Sequence, residues 1–133
     1  MTYTPVSSQT YVPTIGDGQN NFVSSDAVGF YSVNAGGTEV TVSVIIVYTS
    51  KGSANSVLPI QISLPRSVGV ESGASFTLGA TGFGMLGGTP EQKYLVSANF
   101  NGSACFLSDG ATAVTVGDVL AASSIHISGR YFL

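Results

Sequence analysis

The chain carries one histidine, His126, one cysteine, Cys105, and seven acidic side chains. A nucleophilic centre built from such residues needs a base within reach of the nucleophile and a carboxylate that orients the base. His126 sits between Ile125 and Ile127 in an alternating apolar run, so a strand is expected there with the imidazole facing away from both isoleucines. No G-x-S-x-G elbow occurs. The acids Asp17, Asp26, Glu39, Glu71, Glu91, Asp109 and Asp118 stand singly, with Asp17, Asp109 and Asp118 beside glycines. Glycoside hydrolysis would need two of them on one concave face, and turn chemistry accounts for them more simply. Cys105, next to Phe106, reads as a small buried hydrophobe, because no electropositive neighbour is present to favour a thiolate.

Two glycine motifs invite a ligand and are better explained as turns. Gly82-Phe83-Gly84-Met85-Leu86-Gly87 matches the dinucleotide fingerprint G-x-G-x-x-G. That motif works only where a helix opens directly behind it, and Gly88-Thr89-Pro90 follows instead. Asp17-Gly18 with Asn20 and Asn21 would hold calcium only if other loops supplied ligands. Asn101-Gly102-Ser103 spells a glycosylation acceptor, yet Asn-Gly is first of all a hairpin turn. One His and one Cys exclude a disulfide framework and an all-protein zinc site. The expected site list is therefore short: no catalytic residue, no metal and no cofactor, in a protein that is not an enzyme. Tyr3, Tyr11, Phe83 and Tyr94 are the aromatic candidates for stacking on a sugar, against the general tendency of such rings to fill a core.

Composition limits the partners. Among 133 residues only 8% are charged, with a formal net charge of −3, whereas 44% are hydrophobic. Soluble domains carry about 25% charge. Disorder is excluded by the apolar content, and nucleic acid by the lack of any basic excess. The longest apolar run, Val44 to Tyr48, is far short of the about 20 residues of a membrane helix. Mean hydropathy is +0.37. Eleven charges cover too little of a single-domain surface to break up its apolar patches, so copies are expected to bury surface against one another. Met1-Thr2-Tyr3-Thr4-Pro5 has neither the basic start nor the apolar stretch of a secretion signal, so synthesis in a reducing cytoplasm is expected.

The elements that must carry these residues read as strands. Val28 to Val33 is one, and Glu39 to Thr49 is the longest, with Val40, Val42, Val44, Ile46 and Tyr48 on one face and its second half covered on both. Leu58, Ile60, Ile62 and Leu64 alternate with polar or proline positions, and Pro59 and Pro65 place that strand at an edge or a bulge. Ser75 to Leu78 precedes a glycine-rich loop, Gly79 to Gly88. Lys93 to Phe100 turns at Asn101-Gly102, which pairs Ala98 with Cys105 and Val96 with Leu107. Ala113 to Val116 begins a further strand, Asp118 to Ala122 allows one helical turn, and Ser124 to Leu133 is the last strand. The expected fold is all-β, an antiparallel jelly-roll-like sandwich of about 8–9 strands. An arm over residues 1–10 precedes a single domain over 11–133.

In order along the chain, Tyr11-x-Pro13-Thr14-x-Gly16, Asn21-Phe22, Gly29-x-Tyr31, Val40-Thr41-Val42, Ile62-Ser63-Leu64-Pro65, Gly117-Asp118-Val119 and Ile127-Ser128-Gly129-Arg130-Tyr131 resemble a domain of tailed-phage structural proteins. The resemblance spans about residue 11 to 133. It implies a compact β-sandwich, often trimeric, at the outer end of tail or head fibres or decorating the shell. A fibre tip follows a long shaft, and here Met1 lies about ten residues before the domain. The expectation is therefore a stand-alone virion component: a capsid decoration (cement) or head-protrusion protein that self-associates, trimer favoured. Its partner would be the major capsid protein or another virion component. The alternative is a receptor-binding fibre tip or carbohydrate-binding module that meets a host surface glycan.

Overall fold

A computed structural model describes residues 8–66, 76–84, 92–98, 102–108 and 112–133, with 76–84 and 92–98 described by their backbone path. Its strands are β1 (Gln9–Tyr11), β2 (Ile15–Gly16), β3 (Val23–Val33), β4 (Glu39–Ser50), β5 (Gln61–Ser63), β6 (Phe76–Gly84), β7 (Gln92–Ala98), β8 (Ala104–Ser108) and β9 (Ser123–Phe132). Every pairing is antiparallel, in the order β1-β3-β4-β9-β6-β7-β8-β5-β2. The order divides into two antiparallel halves, β1-β3-β4-β9 and β6-β7-β8-β5-β2, joined by the pair Phe83↔His126. Within the second half, β6, β7 and β8 run as a meander and β5 lies beside β8, the Greek-key arrangement.

The alternation read from the sequence is what buries this sheet. On β4, Val40, Val42, Val44, Ile46 and Tyr48 are all at most 1% exposed, while Thr41 and Ser43 face solvent. Ile45 and Val47, on that outer face, are half-buried, so the second half of β4 is partly covered on both sides. β9 contributes Ile125, Ile127 and Tyr131 to the same core, and the other half adds Ile60, Ile62, Cys105 and Leu107. One core serves both halves.

A short segment ties the two ends of the strand order together. β1 pairs with β3, and after only three intervening residues β2 pairs with β5 at the opposite end. Between them the Tyr11 hydroxyl donates to Ser63 O at 2.9 Å, and Thr14 N donates to Ser63 Oγ at 2.8 Å. Tyr131 crosses in the same sense, donating to Arg66 O at 2.8 Å and accepting from Arg66 N at 3.2 Å. Gly29 makes the first crossing possible, because the ring of Tyr11 lies where a β-carbon at Gly29 would stand.

Several boundaries differ from the sequence reading. β6 continues through Gly84, so Gly79 to Gly84 is strand and not loop; Met85 to Gly88 lies outside the described residues. Leu78 pairs with Val96 but Gly82 with Tyr94, so β6 has extra residues in this interval, and glycine accommodates such a bulge at little steric cost. β5 is only three residues long and is second from the end, covered by the two-residue β2. Pro59 and Pro65 cannot donate to a ladder and bracket this short pairing. Within residues 113–116, Ala113 and Thr115 form isolated bridges, with Ser108 and Pro59, and the expected helical turn is a 3-10 turn at Val116–Asp118 instead of 118–122. Gln9 and Thr10, assigned to an arm, pair with Tyr31 and Phe30; residues 1–7 lie outside the described residues. The expected register of β7 and β8, Ala98↔Cys105 and Val96↔Leu107, is observed.

Candidate functional site

Among the described residues, several whose types suggested chemistry are held in structural contacts. Asp17 is 4% exposed. Its Oδ1 accepts from Gln19 N at 2.8 Å and Asn20 N at 2.6 Å, and its Oδ2 accepts from Asn55 N at 2.7 Å. The hydrogen bonds from Asn20, Asn55 and Gln19 hold its pKa at about 2. A carboxylate ringed by N–H donors is the reverse of a calcium shell, and no three His, Cys, Asp or Glu gather as a metal site among the described residues. Asp118 Oδ2 accepts from Thr115 N at 2.9 Å, and Glu39 lies 3.5 Å from Arg130. Glu71, Glu91 and Asp109 are outside the described residues.

Cys105 is 1% exposed in β8, and burial pushes its thiol up to about 12. A thiol so placed is neither a thiolate nor within reach of reagents. The expected result is that iodoacetamide leaves folded protein unlabelled at pH 8 and alkylates it fully in denaturant. Rapid labelling without denaturant would show that β8 opens locally.

His126 lies on the outer face of β9, half-buried, paired across the ladders with Ile45 and Phe83. Gly82 to Gly84 belong to β6 and pair with Gln92 to Tyr94, so the start of the G-x-G-x-x-G match is ladder backbone; Met85 to Gly87 lie outside the described residues. Tyr11 is no sugar platform: its ring packs edge-on against Tyr31, with centroids 5.9 Å apart, and its hydroxyl is committed to Ser63. Burial, with smaller contributions from Cys105 and Tyr131, pushes its pKa upward. Tyr3 and the side chains of Phe83 and Tyr94 lie outside the described residues, as does Asn101 of the glycosylation triplet.

Among the described residues, two surface features stand out. The first is an open cleft of about 370 Å³ between residues 12–15 and the start of β3, with Pro13, Ile15 and Phe22 as its buried floor and Thr14, Ser24 and Asp26 on its rim. Phe22 is held in that floor by Tyr48, ring centroid to ring centroid 4.9 Å.

The second feature is the outer face of β1-β3-β4-β9. Residues directly opposite in antiparallel pairs share a face, so the register sets out its rows. Thr10, Phe30, Ser43 and Ser128 form one row, and Val28, Ile45 and His126 the next. Phe30 is 45% exposed, and Thr10, Thr41 and Ser43 are exposed. The two rows carry no carboxylate, lysine or arginine. Arg130, with Thr41, stands beyond one end, and Asp26, with Val47, beyond the other. Sequence reading did not single out Phe30, although alternation with Gly29 and Tyr31 puts it on the face opposite the core. No family model, curated protein or solved structure matches this chain.

Proposed function

We propose that this protein is a non-enzymatic structural component of a tailed-phage virion, a capsid decoration or head-protrusion protein whose copies associate and dock on the shell. The observation that carries the reading is the outer face of β1-β3-β4-β9, two uncharged rows with Phe30 exposed among hydroxyls. An uncharged face with an aromatic ring exposed among hydroxyls is well suited to contact with protein. The ordered motifs from Tyr11 to Tyr131 support the virion assignment, and the shared core with its Greek-key half supports a jelly-roll-like sandwich. The mechanism is mechanical: rigid sandwiches reinforce the surface on which they sit.

The test is the mass of the purified protein by sedimentation, followed by co-sedimentation with particles of the phage that encodes it. A defined oligomer that pellets with shells is expected. A strict monomer that ignores shells would overturn the proposal. The hydroxyl-rimmed cleft beside Asp26 favours a second reading, a host-glycan module. A glycan array separates the two, because saturable binding to one sugar class is expected only of that module.

A further inference from the structure

We infer that the outer face of β1-β3-β4-β9 is an isologous contact between two copies of this chain, in which Asp26 of each copy meets Arg130 of the other. The inference rests on the proposed self-association and specifies its surface and symmetry. β3, β4 and β9 lie side by side at about 4.8 Å spacing over about ten paired rows that rise about 3.4 Å each, and β1 adds a strip three residues long. The face therefore measures roughly 14 by 34 Å plus that strip, or about 540 Å² before side-chain relief is counted. That approaches the about 800 Å² each partner buries in a stable complex.

Charge placement selects the occupant. Asp26 is exposed, opposite Val47, and makes no ion pair among the described residues. Arg130, opposite Thr41, keeps 72% of its side chain exposed, and its contact with Glu39 is a loose 3.5 Å. An exposed pair of that kind holds Arg130 weakly. Asp26 and Arg130 are thus diagonal corners of the face, two strands apart and separated along β4 by the span from Val47 to Thr41. The midpoint of that diagonal lies on β4 between Ser43 and Ile45.

A two-fold axis in the contact plane, running through that midpoint across the diagonal, exchanges the corners. Each acid then meets the other copy's base, and the uncharged rows meet at the centre. Asp26 at one corner and Arg130, only loosely held by Glu39, at the other are self-complementary under this operation, as an isologous interface requires. Such a contact builds dimers, or links larger assemblies in pairs, in place of the lone trimer that the family likeness implies.

The experiment is sedimentation velocity on the full chain and four variants, with a thermal melt of each to establish folding. Wild type is expected to be dimeric, and Ser43→Lys, at an exposed central position, to be monomeric while still melting cooperatively. Phe30→Ser gives a second route to the same readout. Asp26→Arg and Arg130→Glu each place like charges at both corners and weaken dimerisation by roughly tenfold or more. Mixed in equal amounts, these two variants regain wild-type dimerisation, because both cross-contacts in the heterodimer are again opposite in sign. A monomeric wild type would overturn this inference together with the self-association beneath it. An oligomer indifferent to Ser43→Lys and Phe30→Ser would overturn this inference alone. A trimer, or a mixture that stays weak, would overturn the two-fold arrangement.

Discussion

Gly29→Ala is expected to destabilise the fold by about 2–3 kcal/mol, the sum of one tertiary hydrogen bond, one aromatic pair and part of a ring's burial. A β-carbon at Gly29 would stand 2.6 Å from Cδ1 and 2.7 Å from Cζ of Tyr11, and closer still to Cε1. Those atoms belong to a rigid ring, so the clash cannot be relieved by bending a flexible tip. The ring must swing away as a unit. That movement breaks the 2.9 Å bond to Ser63 O and the edge-on contact with Tyr31, which together lock residues 9–16 across the ends of the strand order. Denaturant unfolding measures the loss, and a double-mutant cycle assigns its cause. In a Tyr11→Ala background the same Gly29→Ala change should cost well under 1 kcal/mol, since the clash has gone. Equal costs in both backgrounds would show that Tyr11 is not the obstacle.

How far the fold is legible follows from where its information lies. β4 and β9 are readable because each alternates over ten or more residues, and Val40 to Tyr48 fell on the core side as the pattern requires. The β7–β8 register is readable because Asn-Gly in the sequence signals a two-residue turn, which sets the pairing on either side, and the observed register is the one it predicts. β1, β2 and β5 are only two or three residues long, too short for any periodicity, and exist because distant partners supply their hydrogen bonds. The glycines of β6 point towards a loop by propensity, and pairing with β7 overrides that preference.

The surface is legible only in part. Sparse charge announces that some face is apolar, but the identity of the face depends on which strands become neighbours. Phe30, Ser43 and Ser128 are adjacent only because β9 returns from the end of the chain to lie against β4. No local pattern encodes that return. The same holds for Asp17, where Asp-Gly correctly signals a turn, yet the partner that gives the carboxylate its structural weight is Asn55.

Asp17 supports the second large effect. Asp17→Ala leaves three backbone N–H groups, of Gln19, Asn20 and Asn55, without their acceptor. Removing the shared acceptor from a satisfied, partly buried network loses three charge-assisted bonds at once, and the N–H groups it leaves regain only part of that from water. The loss at pH 7 should far exceed that of Asp26→Ala, whose carboxylate is exposed. Asp17→Asn should fall between the two: one oxygen still serves Gln19 and Asn20, while the amide nitrogen confronts the Asn55 N–H as donor against donor. The pH dependence gives an independent check. The folded pKa of about 2 lies below the ordinary 3.8, so as pH falls the unfolded chain takes up the proton first. The stabilisation is therefore complete well above pH 4 and disappears as pH falls towards 2. Acid titration of stability should be shallower for Asp17→Asn than for wild type across that window, and the gap between the two proteins should close near pH 2. If the titrations run parallel, the carboxylate is not what binds the 17–20 turn to the loop at Asn55.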